Sequence, residues 1–245
     1  MARDWNAAGY TALPLPHVQW GARTLARLPL NGDEYVLDAG CGPGRDTLAL
    51  LARVPRGRIA AVDASPQMLA ELRSRVTEKS DRLEVIQADL TQPLPLRERV
   101  DAIFSVATFH WITDHEALFD NLASALNQDG RLVAECGGRG NISSIHRAAD
   151  EVLGRPGEMW EFPAEDETSR RLQQAGFRDV HVRLRPDPVH IEQFEVWLDY
   201  LRVVVLGGYL DAMPAAEQEA FVRAVAAQLP DQVVDYVRLE LSARR

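Results

Sequence analysis

Short apolar segments alternate with amphipathic ones between residues 34 and 138, and this alternation constrains the fold more than any other feature of the chain. The amphipathic segments place their apolar residues on one helical face, and the apolar segments have the length and composition of buried strands. Strands that are joined by helices in this order build a parallel sheet covered by helices on both faces. Five strands are predicted, at residues 34–40, 57–65, 83–90, 100–109 and 131–138.

The pattern changes after residue 138. Four helices and two alternating strands are predicted there, the helices at residues 143–153, 167–176, 190–205 and 215–229 and the strands at residues 179–185 and 235–242. Because the last two helices fall between the two final strands, we expect them to form a helical cap inserted before the last strand. The expected fold class is α/β, a doubly wound, Rossmann-like seven-stranded sheet with helices on both faces.

The first predicted strand runs into a glycine loop, VLDAGCGPG at residues 36–44. Ligands of doubly wound sheets bind beyond the carboxyl ends of the strands. Glycine permits a positive φ and lets a ligand touch the backbone, and the helix that follows offers free N–H groups. Gly40, Gly42 and Gly44 are therefore predicted to form a ligand-binding loop.

The spacing of these glycines bears on the class of ligand. A dinucleotide fingerprint, G-x-G-x-x-G, needs its third glycine at position 45, and this position is arginine. The chain also lacks a Tyr-x-x-x-Lys pair. Both observations disfavour a nicotinamide-dependent oxidoreductase, which stays the least favoured alternative.

With Asp38 two residues before the first glycine, the segment DAGCGPG resembles motif I of the class I S-adenosylmethionine-dependent methyltransferases. The resemblance implies S-adenosylmethionine as cofactor and S-adenosylhomocysteine as product. It also implies that Asp63 accepts hydrogen bonds from both ribose hydroxyls and that Asp89 and Leu90 lie beside the adenine. The cofactor-binding residues implied in this way are Tyr10, Gln19, Asp38, Gly40, Gly42, Gly44, Asp63, Ala64, Met68, Asp89, Leu90 and Val106.

Other segments look like a narrower group, the trans-aconitate methyltransferases and their relatives. They are DWNAAGY at residues 4–10, FHW at 109–111, DHEALF at 114–119 and, for the broader group, HVQWGARTLARL at 17–28. Enzymes of this group make methyl esters of small carboxylic acids. The segment ECGGRGNISSIH at residues 135–146 departs from their pattern, so the resemblance leaves the substrate open.

The resemblance implies one methyltransferase domain over residues 1–245. Its cofactor-binding core covers about residues 34–136, and elements at about residues 139–165 and 187–231 cap the substrate side.

The expected function is S-adenosylmethionine-dependent methyl transfer to a small molecule, with O-methylation of a carboxylate or a hydroxyl favoured. A carboxylate is already ionised and needs no general base, whereas a hydroxyl or an amine would use His110 as the best-placed titratable residue. Methylation at nitrogen or carbon and a non-catalytic module that binds the cofactor or its product stay open. The substrate-side candidates besides His110 are Trp111, Arg139, His146 and Trp197.

Composition argues against several classes of partner. The net charge of −9 disfavours non-specific contact with nucleic acid or anionic lipid. The stretch SVATFHW stands where an amino-methylating DNA enzyme would carry Asn/Asp-Pro-Pro-Tyr/Phe. Two cysteines are too few for a disulfide framework or a structural zinc site, and no stretch approaches about 20 apolar residues. We therefore expect a cytoplasmic protein with a small-molecule substrate, no metal, no nucleic acid and no membrane contact; the oligomeric state is not predicted.

Overall fold

The structure, a computed structural model, describes residues 17–76, 81–156 and 162–245. The sheet contains seven strands in the order β3–β2–β1–β4–β5–β9–β6. These strands are β1 Tyr35–Ala39, β2 Arg58–Asp63, β3 Leu83–Gln87, β4 Val100–Val106, β5 Leu126–Gly137, β6 Arg178–Pro186 and β9 Val237–Arg244, and a separate ribbon pairs β7 Val189–His190 with β8 Val233–Val234.

Nine α-helices are assigned within the described residues. They are α1 His17–Ala26, α2 Arg45–Arg53, α3 Pro66–Arg75, α4 His115–Ala125, α5 Ser143–Leu153, α6 Glu165–Gln174, α7 Phe194–Tyr200, α8 Gly207–Asp211 and α9 Ala215–Ala227. None of the helices in this part of the chain is long and apolar enough to cross a bilayer.

The two faces of the sheet are buried by different helices, as the alternation of strands and helices predicts. In β1, Leu37 belongs to a core that also contains Leu122 of α4 and Leu172 of α6. Its neighbour Val36 belongs to a second core with Leu50 of α2. Successive side chains of a strand point to opposite faces, so a fully buried strand needs apolar residues at every position. The predicted doubly wound fold is confirmed.

Strand order reverses between β1 and β4, and both neighbours of β1 run parallel to it. The carboxyl ends of β1, β2, β3 and β4 therefore meet at one edge of the sheet. β9 runs antiparallel to β5, and Arg238 pairs with Gly137. Because of this reversed direction, the first residues of β9 lie beside the last residues of β5 at the same edge.

The helical cap lies between β6 and β9, where the sequence places it. The predicted helix over residues 190–205 is interrupted: α7 ends at Tyr200 and a π-helical turn covers Leu201–Val205. In that turn the N–H of Leu206 donates to the carbonyl of Leu201 at 2.7 Å. Three consecutive valines, at residues 203–205, crowd a regular helix because branched Cβ atoms restrict χ1.

The cap has its own apolar core. Trp197 is fully buried in it, together with Phe221 and Val222 of α9. Trp20 of α1 belongs to the same core, so α1 bridges the sheet and the cap. This packing brings the π-helical turn over the carboxyl edge of the sheet.

Candidate active site

A cavity of about 660 Å³ opens at the carboxyl edge of the sheet. This volume lies within the range of pockets that hold drug-sized ligands. Its walls come from the loops after β1, β2, β3 and β4, from the start of β9, from α1 and from the cap. Of the predicted site residues, those that line it are Gly40, Gly42, Asp63, Ala64, Met68, Asp89, Leu90, Val106, His110 and Trp111.

The three glycines of the loop serve different purposes. All have positive φ, but a Cβ on Gly40 would lie 2.1 Å from Oγ1 of Thr108, and a Cβ on Gly44 would lie 2.1 Å from Cδ1 of Leu72. A Cβ on Gly42 would meet no atom within 4 Å, and Gly42 borders the cavity. Gly42 therefore leaves room for a ligand, whereas Gly44 does not line the cavity and is required for close packing on α3.

Asp63 ends β2 beside this loop. Its Oδ2 accepts from the N–H of Gly42 at 2.9 Å, and its Oδ1 accepts from the N–H of Ser65 at 2.8 Å. Burial raises the pKa of Asp63, and these backbone hydrogen bonds oppose the rise. A carboxylate has about four lone-pair sites, so two backbone bonds leave acceptor capacity for the hydroxyls of a ligand. This donor and acceptor set fits a ribose diol.

The turn after β3 forms the next part of the wall. Oδ1 of Asp89 accepts from the N–H and the hydroxyl of Thr91 at 2.9 and 2.8 Å, which fixes the turn. Leu90 is buried, and Asp89 is exposed at the mouth of the cavity. Met68 in the first turn of α3 lies over the same region, and its N–H donates to Oγ of the helix cap Ser65 at 3.3 Å. Ser65 is thus the N-cap of α3.

Asp38 lies behind the glycine loop and does not line the cavity. Its Oδ2 accepts from the hydroxyl of Thr47 in α2 at 2.6 Å. Burial raises the pKa of Asp38 to about 8, so a neutral carboxylic acid is favoured at neutral pH. Asp38 therefore ties β1 to α2 and supports the loop from behind.

His110 lies on the short 3₁₀ turn Phe109–Trp111 that follows β4. The backbone N–H of Gly137 donates to its Nδ1 at 3.3 Å. Burial, and then the charge of Arg238, hold the pKa of His110 well below its usual range, so the ring is neutral. A ring nitrogen that accepts an N–H carries no proton, and the proton of the neutral ring is therefore on Nε2.

Comparison with known proteins agrees with this geometry. Residues 36–130, which contain the glycine loop, β2, β3, β4 and α4, match the methyltransferase domain family. The methyltransferase match thus covers the loops after β1, β2, β3 and β4 that line the cavity. Trans-aconitate 2-methyltransferase of Escherichia coli is 38% identical over 132 residues, which is 54% of this chain and 50% of that protein. The chain thus aligns with about half the length of the curated relatives that it matches.

Solved structures share the fold over most of the chain. The YcgJ protein of Bacillus subtilis aligns with 94% of this chain and 99% of its own, with a TM-score of 0.66 and 15% identity. Phosphoethanolamine N-methyltransferase 2 of Haemonchus contortus, crystallised with phosphomonomethylethanolamine and S-adenosylhomocysteine, covers 93% of this chain and 52% of its own, with a TM-score of 0.62 and 19% identity. The predicted Rossmann-like fold is confirmed over most of the chain.

Several predicted site residues lie away from the cavity. Gln19 lies on the exposed face of α1, and Arg139 is exposed in the loop after β5. His146 packs against the rings of Phe162 and Tyr209, and Trp197 is fully buried in the core of the cap. Tyr10 lies outside the described residues. The placement of Gln19 follows from helical geometry, because α1 buries the face that carries residues 17, 20, 21 and 24.

Sequence reasoning missed a group of residues that line the cavity. They are His17, Trp20, Asn141, Phe162, Tyr236 and Arg238. The spacing of His17 and Trp20 on a helix was a usable signal. Tyr236 lies directly before β9, and Arg238 is the second residue of this strand. The polar residues Arg238 and Glu240, which alternate with apolar ones along β9, are buried.

Arg238 is the most unusual of these residues. Its side chain is 2% exposed, and its Nε lies 3.3 Å from Oε1 of the fully buried Glu135. Its Cζ lies 3.8 Å from the ring centroid of Trp20, a cation–π distance. The indole N–H of Trp20 donates to Oδ2 of Asp187 at 2.6 Å, which fixes the ring under the guanidinium.

Arg238 belongs to a charge network that runs across β5, β9 and β6. Oε1 of Glu135 also accepts from Arg23 at 2.9 Å, and Oε1 of Glu240 lies 2.7 Å from Nε of Arg185. Among residues 17–76, 81–156 and 162–245, five arginines and three carboxylates take part, which gives the network a net charge of +2 in a chain of net charge −9. Arg238 is the member of this network that lines the cavity.

Proposed function

We propose that this protein transfers the methyl group of S-adenosylmethionine to an oxygen atom of a small molecule, and that the acceptor is a carboxylate. The observation that carries the proposal is that one cavity is lined both by the cradle of Gly42 and Asp63 and by the neutral ring of His110. When bound, S-adenosylmethionine supplies a methyl group activated by its sulfonium.

The cofactor end of the cavity would be formed by the loops after β1, β2 and β3. Gly42 lets a ligand approach the backbone, because it has no side chain and the space that a Cβ would occupy is open. Asp63 is held by two backbone N–H groups and would accept hydrogen bonds from the ribose hydroxyls. Leu90 supplies an apolar surface, and Asp89 a carboxylate, where an adenine would lie.

At the acceptor end, the protonation state of His110 favours a carboxylate. Its Nε2–H can donate a hydrogen bond to an acceptor oxygen, but a base at Nε2 would need the other tautomer and would lose the bond from Gly137. A carboxylate is ionised at neutral pH and needs no proton removal, so His110 would hold and orient it. The earlier expectation of His110 as a general base for a hydroxyl is less well supported.

The cap would contribute by excluding water. Val204 and Val205 of the π-helical turn and Ile142 before α5 present apolar surface to the cavity. Methyl transfer is an in-line displacement that depends mainly on positioning and on a dry site. The relative named trans-aconitate 2-methyltransferase is consistent with a carboxylate acceptor, and the N-methyltransferase with the same fold marks a nitrogen acceptor as the alternative.

The cofactor half of the proposal is tested by calorimetry. Wild-type protein is titrated with S-adenosylmethionine, S-adenosylhomocysteine and NAD, and the titrations are repeated with Asp63→Ala and with the exposed control Asp120→Ala. We expect micromolar binding of both adenosyl compounds by wild type and control, and no binding of NAD. Asp63→Ala should lose at least tenfold in affinity. Failure of the folded protein to bind either adenosyl compound would contradict the proposal.

The proposed methyl transfer to a carboxylate is tested by identifying the methylated product. Small carboxylic acids, phenols and amines are incubated with the protein and radiolabelled S-adenosylmethionine, and base-labile methyl esters are separated from stable ethers and amines. Release of label by mild alkali identifies a carboxylate acceptor. A base-stable product would replace the carboxylate with another acceptor atom, and binding without any product would favour a non-catalytic binding module.

A further inference from the structure

The wall opposite the glycine loop contains a buried cationic group with an unused donor. Nη2 of Arg238 is buried and makes no hydrogen bond in the part of the chain that the structure describes. The residue lines the cavity, while its Nε is engaged by Glu135. Buried polar groups are nearly always hydrogen-bonded, and a charged donor binds best to an anionic oxygen.

The position of the guanidinium is set before any ligand binds. Trp20 lies against its face at 3.8 Å, and the buried Glu135 lies 3.3 Å from its Nε. Glu135 is in turn held by Arg23 and by the hydroxyl of Thr24 at 2.9 and 3.0 Å. A group fixed by packing and by a second set of hydrogen bonds loses little freedom when it binds a ligand.

The arginines of the network differ in access to water. Arg183 is 66% exposed and finds solvent, whereas Arg238 is 2% exposed and faces only the cavity and its neighbours. The network has two more arginines than carboxylates, so it can accept a negative charge without a new cation. The planar fork of arginine matches the two oxygens of a carboxylate.

We propose that Arg238 anchors a carboxylate group of the methyl acceptor, and that this carboxylate is distinct from the oxygen atom that is methylated. An oxygen held by a guanidinium is a weaker nucleophile, because the positive charge stabilises its lone pairs. His110 contacts Gly137, the residue that pairs with Arg238 across β5 and β9, so both groups lie at one end of the cavity. The acceptor is therefore an acid with a second polar oxygen group, such as a di- or tricarboxylate.

Asn141 supplies a neighbouring donor. Its Oδ1 accepts from the N–H of Val237 at 3.0 Å, which orients the side-chain amide. Asn141 is buried, lines the cavity and lies beside the start of β9. Its NH₂ group and the guanidinium of Arg238 together can bind both oxygens of one carboxylate.

This inference rests on the proposed function for the identity of the acceptor, but its test is a binding measurement. Protein saturated with S-adenosylhomocysteine is titrated calorimetrically with succinate, trans-aconitate and citrate, and with butyrate and succinamide as a monoacid and a neutral analogue. The variants are Arg238→Gln, Arg238→Lys and, as a control outside the charge network, Arg223→Gln, whose exposed side chain pairs with Glu219. Far-ultraviolet circular dichroism and the affinity for S-adenosylhomocysteine check that each variant is folded.

We expect at least one di- or tricarboxylate to bind to wild type and to Arg223→Gln with equal affinity. Arg238→Gln should weaken it by tenfold or more at unchanged affinity for S-adenosylhomocysteine, and Arg238→Lys, which keeps the charge, should recover part of the loss. In methyl-transfer assays Arg238→Gln should raise KM for the acid with little effect on kcat. The proposal is overturned if no carboxylate of this panel binds to wild type, or if Arg238→Gln binds it equally well.

The two proposals fail in different ways. Loss of adenosyl binding or of any methylated product contradicts the proposed function, even if carboxylates bind at Arg238. Intact methyl transfer with an acceptor whose affinity is insensitive to Arg238→Gln and Arg238→Lys contradicts the anchor alone.

Discussion

The backbone N–H of Gly137 at the end of β5 donates to Nδ1 of His110 at 3.3 Å, and this bond determines which nitrogen of the ring carries the proton. The residue that a sequence reader would choose as a general base is therefore held as a hydrogen-bond donor. The same glycine pairs with Arg238 of β9, so one position of the sheet connects both polar groups of the proposed acceptor site.

The rate of methyl transfer to a carboxylate should not depend on pH between about pH 6.5 and 8.5. Burial lowers the pKa of His110 well below 6.5, so its ring is neutral over this whole range. His110→Ala should raise KM up to roughly tenfold, because it removes one positioning hydrogen bond of about 0.5–1.5 kcal/mol. A pH–rate profile of wild type that rises with unit slope through pH 6–7, and that flattens in the variant, would instead identify a base.

Gly42→Ala should separate ligand binding from stability. The new methyl group would enter open space at the cavity, and the positive φ costs about 1–2 kcal/mol for any other residue. Gly154→Ala is the matched control, because Gly154 also has a positive φ and no atom within 4 Å of a Cβ but lies after α5. Both variants should lose similar stability in urea, and Gly42→Ala alone should lose affinity for S-adenosylhomocysteine. Equal affinities of the two variants for S-adenosylhomocysteine would exclude close contact between this ligand and the backbone of Gly42.

Gly44→Ala should be destabilised more than either of these variants. Its Cβ would lie 2.1 Å from Cδ1 of the buried Leu72, so α3 must move or repack in addition to the strain of the positive φ. Overpacking of this kind costs about 1–3 kcal/mol beyond the backbone term. Urea denaturation of the three glycine variants gives the order of their free energies of unfolding. A Gly44→Ala protein as stable as Gly154→Ala would refute the role of Gly44 in packing against Leu72.

The free energy of unfolding should decrease as the pH rises, because the pKa of Asp38 is raised in the folded protein. Its pKa is about 3.8 when unfolded and is raised to about 8 by burial in the fold. Between these two pKa values the folded state holds a proton on Asp38 that the unfolded state lacks. The stabilisation of the folded state by this proton is therefore full below about pH 4 and is lost by about pH 8. The slope approaches about 1.4 kcal/mol per pH unit. Asp38→Asn keeps an acceptor for Thr47 and should remove this slope in urea denaturation from pH 5 to 8.5, whereas an unchanged slope would show that Asp38 ionises normally.

The charge network should depend on Glu135. Glu135→Gln leaves the buried Arg238 without its carboxylate and takes one of three carboxylates from Arg23, and it should cost about 3–5 kcal/mol, the usual effect of breaking a buried pair. Glu219→Gln is the control, because Glu219 forms its ion pairs with Arg202 and Arg223 on the surface, where water screens them. Urea denaturation measures both. Equal stability of the two variants would mean that the network is not coupled to folding.

The sequence by itself determined the features that depend on local patterns. Period and length predict the strands and helices, and the glycine spacing identifies the loop after β1. Asp63 could be placed beside that loop because the ends of neighbouring parallel strands meet at one edge. These inferences hold since they need only the order of elements and the backbone properties of each residue type.

Only the tertiary structure decided the residues that face the cavity. Gln19 and Trp20 are neighbours in sequence, yet packing of α1 against the sheet and the cap exposes one and buries the other. Arg238 reads as an ordinary polar position of an alternating strand until the reversed direction of β9 places it beside Gly137. The direction of a strand in the sheet, the face of a helix that is buried and the residue paired across two strands all depend on contacts between distant segments. No local sequence pattern encodes them.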